Sequence, residues 1–449
     1  MDSTVKMGEE KVPKLLLSYS LPVFVSYIAG SIYSIISKAF IGNSVAGVNG
    51  LAALSVSFPV TSILMSFAFL FGMGGSTMAA IKVGEGDRKG ANRVMNLSFQ
   101  MIVLFALAYT VVGNIFLDKI LILFGASEEV LPYAIPYTRI VLCSGVFQMI
   151  GIGMTNYMRV EGKTFLAMVS VFIGPVINIA LSFVFILWLK MALIGAALAT
   201  ALGQIGCAVV IVWHYLKKGG IFAFDKSMFK LEPKLGLEIM YLGLSSFAVN
   251  FTGSIVSVFL NRVAKNYGGD VAISGLGVVT TLQGFLVTPI SAVNMGWQAL
   301  LGFNFGARKF DRMRQIVRVG ILSTTVIMCL EYIAMHIWPT EMVRFFSTDS
   351  PELIEFSKKA LVTYLFMLPI IPLQTQGAGF LQAIRKPIHS VVLSLSRQLI
   401  ILIPALLILP HFFGIDGVLY AGPLADLISV AVTLPFLLHF YRNLEKIRG

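Results

Sequence analysis

Long apolar stretches separated by short polar connections run along the whole chain. Twelve of them reach the roughly 20 residues that a helix needs to cross the hydrocarbon core of a bilayer. They are continuously apolar, whereas the strands of a membrane barrel would be about 10 residues long and would alternate. The pattern predicts an all-α membrane protein of twelve transmembrane helices. The spans are predicted near residues 15–40, 52–80, 94–116, 132–155, 164–188, 192–214, 236–261, 276–302, 317–338, 358–381, 388–410 and 416–440.

The composition agrees with a lipid-embedded chain. Hydrophobic residues make up 57% of the 449 residues and charged residues only 12%, where a soluble domain carries about 25% charged residues. The three cysteines each lie in an apolar run, which excludes a secreted disulfide scaffold. No CxxC or Cys/His spacing indicates a metal site.

The formal net charge of +12 does not indicate a nucleic-acid partner, because the basic residues sit in the short connections between spans. If the N-terminus is placed inside, 24 Lys and Arg residues fall on the inner side and 8 on the outer side. Basic residues are enriched in cytoplasmic loops. The bias therefore predicts a multi-pass protein of the cytoplasmic membrane with both termini in the cytoplasm.

The second half of the chain repeats features of the first at an offset near 220 residues. The matched segments are Pro13–Leu15 with Pro233–Leu235, Gly86–Lys89 with Gly306–Lys309, and Ile194–Ala197 with Asp416–Leu419. Each match alone is weak, but their order and nearly constant offset make chance an unsatisfactory explanation. Because the offset spans an even number of helices, both halves have the same orientation, as in transporters built from parallel repeats.

The repeat predicts two six-helix lobes related by pseudo-two-fold symmetry. The predicted boundaries are 1–214 for the first lobe, 215–235 for a cytoplasmic linker and 236–449 for the second lobe. Two such lobes facing a central cleft are a common arrangement for alternating access.

Several motifs make the chain resemble the multidrug and toxic compound extrusion family over nearly its whole length. They are Leu21–Pro22, Phe40–Gly42, Gly50–Leu54, Gly84–Asp87, Arg159–Lys163, Gly302–Arg312, Gln382–Lys386 and Pro423–Asp426. The stretch Gly302–Arg312 is the most specific of them. The resemblance implies a V-shaped pair of six-helix lobes that exports amphipathic drugs or metabolites in exchange for protons or sodium.

The chain departs from the resembled family at two places in the first lobe. Many relatives carry an Asp near the end of the first helix, where this chain has Ser37 followed by Lys38. Relatives also carry an acidic residue after the Asn of the fifth helix, whereas here Asn178 is followed by Ser182. A serine can bind sodium weakly but cannot carry a proton at neutral pH. Lys38 either reaches the outer headgroups or replaces the bound cation with a tethered charge.

Ionisable residues inside spans are costly and usually face the protein interior. Glu331 lies roughly 10 Å from the outer end of its predicted span, where it is either a proton or cation site or a paired surface carboxylate. Asp426 is a candidate for coupling or for a structural hydrogen bond. Arg397 is too deep to snorkel easily and is expected to form an interior ion pair with Asp426 or Glu161, with a role in substrate binding as the alternative.

Uncharged polar residues also occur within the spans. Most of them, including Gln148 and Gln204, are expected to hydrogen-bond between helices. We expect Asn178, Gln283 and Asn294 to line the cleft.

These features together predict a secondary active transporter, a cation-coupled antiporter that exports amphipathic molecules. No Walker motif or catalytic constellation is present, so we expect no enzyme activity and no cofactor, with a proton or sodium gradient as the energy source. The expected partners are the lipid bilayer, a small amphipathic substrate and H⁺ or Na⁺, and the chain is expected to be a monomer.

Two other functions stay open at this point. A flippase for a lipid-linked saccharide would be favoured if Lys38, Arg139 and Arg397 lined one cavity. A membrane enzyme or a transport-inactive sensor would be favoured if no cleft opened between the lobes.

Overall fold

A computed structural model describes residues 3–42, 47–217, 220–225, 230, 232–344 and 351–447 of the chain. Most of these residues are helical. The helices are α1 Ser3–Glu9, α2 Val12–Gly42, α3 Gly47–Gly84, α4 Arg88–Ile115, α5 Leu117–Leu123, α6 Leu131–Cys143, α7 Gly145–Val160, α8 Thr164–Ser182, α9 Ala192–Leu216, α10 Pro233–Leu286, α11 Thr288–Gly306, α12 Phe310–Ile337, α13 Pro339–Arg344, α14 Pro351–Tyr364, α15 Ile371–Ala383, α16 Pro387–Leu395, α17 Ile403–Phe413 and α18 Ile415–Arg442. The π-helical segments Phe183–Trp188 and Ser396–Leu402 follow α8 and α16.

The predicted all-α architecture with twelve spans is confirmed. Within the described ranges, eleven helical segments are long and apolar enough to cross a membrane, and the pair α6 and α7, bent by 48°, makes a twelfth. Helix α10 contains two spans, because Gly269 adopts a positive φ of 63° and breaks the helix there. Glycine has no Cβ and takes up this conformation at little steric cost.

The described chain forms two compact units. Unit 1 comprises Met1–Glu10, Leu21–Phe247 and Gly302–Ala307, and unit 2 comprises Lys11–Ser20, Ala248–Leu301 and Arg308–Gly449. The lobe boundaries at 214 and 236 stay a prediction from the sequence.

The internal repeat is visible in the backbone of the turns between helices. Three turns in the first half hold a residue of positive φ that recurs in the second half: Gly86 with Arg308, Gly162 with Arg385, and Ala192 with Gly414. The members of each pair are 222 or 223 residues apart. The sequence match of Gly86 with Gly306 was therefore two residues out of register, because the turn geometry pairs Gly86 with Arg308.

Helix α4 begins at a polar cap. Asp87 precedes the helix, and its carboxylate accepts a hydrogen bond from the backbone N–H of Gly90 at 2.7 Å. This hydrogen bond, together with Lys82 at 3.2 Å, holds the pKa of Asp87 below its ordinary value. An acidic cap satisfies an otherwise unpaired helix N–H, so the local sequence determines where this span begins.

Unit 1 contains a close approach between α3 and the first part of α10. A Cβ atom on Gly74 would overlap the carbonyl oxygen of Ile239, and one on Gly243 would overlap the carbonyl oxygen of Leu70. Small residues allow membrane helices to pack backbone against backbone. In unit 2, by contrast, large apolar side chains fill the core, among them the fully buried Leu276, Leu361 and Leu406.

Candidate functional site

A cavity of about 230 Å³ lies within the helical bundle of unit 1. Its polar lining comes from four helices: Tyr33 on α2, Gln148 on α7, Asn178 on α8, and Thr200 and Gln204 on α9. The rest of the lining is mainly apolar or glycine. No carboxylate is among the lining residues in the described part of the chain, so the cavity is polar but uncharged.

Asn178 is the centre of a hydrogen-bond network on one wall of the cavity. Its amide nitrogen donates to the Thr200 hydroxyl at 2.9 Å and to the Tyr33 hydroxyl at 3.3 Å. Its amide oxygen accepts from the hydroxyl of Ser182 at 3.0 Å, and Thr200 in turn donates to the carbonyl of Ala196. The amide of Asn178 is thus held in one orientation, with both its donor and acceptor sides occupied.

The structure places the residues at the two family departures differently. Ser182 is buried and belongs to the Asn178 network, whereas Ser37 is half-buried on α2. The side chain of Lys38 lies outside the described residues. Whether Ser37, Ser182 or Lys38 contributes to cation binding stays a prediction.

The cavity also contains two amide oxygens without partners. Gln148 Oε1 and Gln204 Oε1 are buried, and neither has a hydrogen-bond partner among the described residues. The expectation that these two side chains hydrogen-bond between helices was therefore wrong for their oxygens. An unpaired buried acceptor costs about 1–3 kcal/mol, so a ligand that donates to these oxygens would recover that free energy.

The corresponding region of unit 2 contains an ion pair. Arg397, in the π-helical segment after α16, donates from Nε to Oδ1 of Asp426 on α18 at 2.6 Å. Asp426 is 2% exposed. Next to Arg397, the side chain of Gln398 accepts a hydrogen bond from Thr252. The expected interior ion pair of Arg397 is confirmed, and Asp426 is its partner.

Glu161, the other candidate partner of Arg397, instead anchors the connection that follows α9. Its carboxylate accepts from the backbone N–H of Phe222 at 2.9 Å and lies 2.7 Å from Nε2 of His214 and 3.2 Å from Lys163. Burial raises the pKa of Glu161, but the two hydrogen bonds and the charge of Lys163 outweigh it, so the pKa lies below its ordinary value. Glu161 as the partner of Arg397 was wrong, because its carboxylate is occupied locally.

Glu331 lies on the inward stripe of α12. Thr324, Met328 and Met335 on this stripe are fully buried, while Leu330 on another face is 62% exposed. Glu331 itself is half-buried, and its Oε2 has no hydrogen-bond partner among the described residues. The side chain therefore points into the helix bundle, as the rarity of charges in spans suggests.

Asn294 and Gln283 have different surroundings in unit 2. Asn294 accepts a hydrogen bond at 2.9 Å from the indole N–H of Trp297, which is fully buried. Gln283 is half-buried on α10. Asn294 thus orients a core tryptophan, and a role of either residue in lining a cleft stays a prediction.

Sequence reasoning overlooked Tyr33, Thr200 and Cys207 as cavity residues. A signal was present, because Thr200, Gln204 and Cys207 are spaced i, i+4, i+7 and so share one face of α9. The partners on α2 and α7 are distant in sequence, and only the packing of the helices brings them to this face.

Arg139 was expected to line a cavity with Arg397 if the protein were a flippase. It lies on α6, is exposed, and is not among the residues that line the cavity of unit 1. Arg397 is engaged by Asp426 in unit 2.

Comparison with known proteins shows which family has this architecture. The MatE family model matches the chain twice, at residues 22–184 and 243–407, so the two matches begin 221 residues apart. The chain is 26% identical over 443 residues to the multidrug export protein MepA of Staphylococcus haemolyticus strain JCSC1435, covering 97% of this chain and 95% of that protein. It is 26% identical over 424 residues to MepA of Staphylococcus aureus strain MSSA476, covering 93% and 92%.

A solved structure supports the same assignment for the fold. It is described as the outward-facing conformation of a multidrug resistance MATE family transporter of the MOP superfamily, and it matches with a TM-score of 0.92 at 21% identity over 98% of both chains. The two matches of the family model account for most of the chain and for the predicted repeat. The chain therefore belongs to the MatE family of multi-pass membrane transporters.

Proposed function

We propose that this chain is a secondary active transporter of a bacterial cell membrane that exports small amphipathic molecules in exchange for a cation. The observation that carries the proposal is the cavity of unit 1, which combines an apolar wall with a few polar groups inside a bundle of spans. Such a lining suits a ligand with an apolar body and a polar end. The nearly full-length relatives named multidrug export protein support export as the direction of transport.

The size of the cavity limits how much of a cargo it can hold. Its volume of about 230 Å³ lies below the roughly 300–1,000 Å³ of typical ligand sites. We therefore infer that the cavity binds one end of the cargo.

A proton is the cation we propose for coupling, with Glu331 as its site. The cavity of unit 1 has no carboxylate among its described lining residues, which directs attention to the buried acids of unit 2. Asp426 is already neutralised by Arg397, whereas one oxygen of Glu331 has no partner among the described residues. An unpaired carboxyl group on an inward face can take up and release a proton when its exposure to water changes.

Transport by the purified full chain in proteoliposomes tests this function. A fluorescent amphipathic cation is loaded, and a pH gradient or a sodium gradient is imposed separately. We expect movement of the probe under the pH gradient, with proton counterflow detected by an internal pH dye. Absence of movement under both gradients would contradict the transporter, while movement under sodium alone would contradict only the proton.

Replacement of single acids assigns the coupling residue. Glu331→Gln keeps the shape of the side chain but cannot release a proton, so we expect it to abolish gradient-driven transport. Glu341→Gln, at an exposed carboxylate on α13, is the matched control and should transport normally. If both Glu331→Gln and Asp426→Asn retain gradient-driven transport, coupling through unit 2 is excluded.

A flippase for lipid-linked saccharides is the alternative function. The same vesicles test it, because a flippase would expose a labelled lipid-linked saccharide to an external glycosidase without moving the amphipathic cation.

A further inference from the structure

The ion pair of unit 2 and the cavity of unit 1 occupy equivalent positions in the internal repeat. Arg397 lies twelve residues after the positive-φ turn at Arg385, and Gly174 lies twelve residues after the matching turn at Gly162. In unit 1 this position therefore has no side chain, where unit 2 has a guanidinium.

The partner position shows the same relation. Asp426 lies twelve residues after the turn at Gly414, and Gln204 lies twelve residues after the matching turn at Ala192. Gln204 is the residue whose buried Oε1 has no partner among the described residues. The repeat thus aligns a satisfied carboxylate in unit 2 with an unsatisfied amide oxygen in unit 1.

Packing around Gly174 confirms that these positions adjoin in unit 1. A Cβ on Gly174 would lie 3.3 Å from the carbonyl oxygen of Gly203, the residue before Gln204. Gly174, Gly203 and Gln204 all line the cavity, together with Gln148. In unit 2 the equivalent positions are bridged by the 2.6 Å bond from Arg397 to Asp426.

We propose that the cavity of unit 1 binds a planar, hydrogen-bond-donating head group of the cargo, of the guanidinium or amidinium class, in the manner in which Arg397 meets Asp426 in unit 2. This rests on the proposed function, since it names the chemical class of the exported molecule. Arg397 is in effect a tethered copy of the ligand, built into the repeat that has no free cavity at this position.

The groups in the cavity suit this class of head group. Gln148 Oε1 and Gln204 Oε1 are two acceptors, and a guanidinium presents several N–H donors in a fixed plane. Guanidinium is also more weakly hydrated than ammonium, so its transfer to neutral carbonyl acceptors costs less. The ring of Tyr33 supplies an aromatic surface, on which such planar cations stack.

Two matched probes test the proposal by equilibrium binding to the full chain in nanodiscs. n-Octylguanidinium and n-octyltrimethylammonium have the same charge and chain, but only the first has N–H donors. Empty nanodiscs correct for partition into lipid. We expect the guanidinium to bind roughly tenfold more tightly or better, since a lost hydrogen bond to a charged group costs about that factor. Equal affinities would overturn the proposal.

Variants of the two glutamines locate the discrimination in the cavity. Gln204→Leu and Gln148→Leu should each weaken n-octylguanidinium binding about tenfold and leave n-octyltrimethylammonium binding unchanged. Gln204→Glu should strengthen n-octylguanidinium binding, because the hydrogen bond becomes charge-assisted. This gain cannot come from misfolding. If all three variants bind both probes like the parent chain, the site is not this cavity.

A transplanted ion pair gives an independent check. The double substitution Gly174→Arg and Gln204→Asp places the unit 2 pair in unit 1 and should abolish n-octylguanidinium binding. Gln204→Asp alone should retain it, and retention by the double variant would contradict the proposed equivalence. Binding without gradient-driven transport would refute the proposed function alone, whereas transport without discrimination between the probes would refute the head-group assignment alone.

Discussion

The Arg397–Asp426 pair allows a quantitative prediction about the stability of unit 2. Its atoms are 2.6 Å apart, and Asp426 is 2% exposed. Removal of one partner leaves the other buried and unpaired. Arg397→Met and Asp426→Leu remove the partners singly, and the double variant replaces the pair with apolar side chains of comparable size.

The magnitude follows from the burial of the two groups. Breaking a buried ion pair from one side costs about 3–5 kcal/mol, while replacing both partners with apolar residues is often neutral. The side chain of Arg397 is 22% exposed, so solvent reduces the cost, and we expect each single variant to lose about 2–3 kcal/mol. The double variant should be within about 1 kcal/mol of the parent chain.

Unfolding in mixed micelles with increasing dodecyl sulfate measures these free energies. Trp297 is fully buried in unit 2, so its fluorescence reports the loss of packing there. Ordinary interhelical hydrogen bonds in membrane proteins average about 0.6 kcal/mol in double-mutant cycles. A coupling energy that small would refute the view that a desolvated ion pair holds this interface together.

Two further predictions concern unit 1. Glu161→Gln should lower the melting temperature at neutral pH, because Phe222 and His214 lose a charged acceptor. Since the pKa of Glu161 is depressed in the folded chain, its contribution is present above the ordinary value of about 4.3 and is lost as the pH falls through the folded pKa, so parent and variant melting curves should converge at acid pH. A constant difference at every pH would contradict this assignment. Gly74→Ala should cost about 1–3 kcal/mol through overlap with α10, measured by dodecyl sulfate unfolding, while Gly277→Ala, with open space around it, should be neutral. Equal effects would refute the close approach.

Much of the fold was predictable because the bilayer imposes a length and a polarity on every span. The run predicted at 310s to 330s, for example, is the outer part of α12, and its end near Trp338 agrees with the C-terminus at Ile337. The bend between α6 and α7 at Ser144 was not predicted, since a bent span is as apolar as a straight one. The two-residue error in the repeat at Gly306 arose because short identical segments ignore turn geometry.

The site was predicted less completely. The depth of Arg397 in an apolar run required a partner, but the choice between Asp426 and Glu161 depends on helix packing. Asn178 was identified as a polar residue worth testing, yet its contacts with Tyr33 and Thr200 join helices far apart in the chain. No local pattern specifies such pairs.

The sequence by itself determined that this chain spans a membrane, how many times it does so, and that its halves repeat, because apolar length and periodic similarity are properties of a linear string. Tertiary structure decided that one repeat holds a cavity with unpaired amide oxygens while the other holds Arg397 against Asp426. The physical reason is that whether a buried polar atom is satisfied depends on side chains from other helices, and their positions are set only when the helices pack.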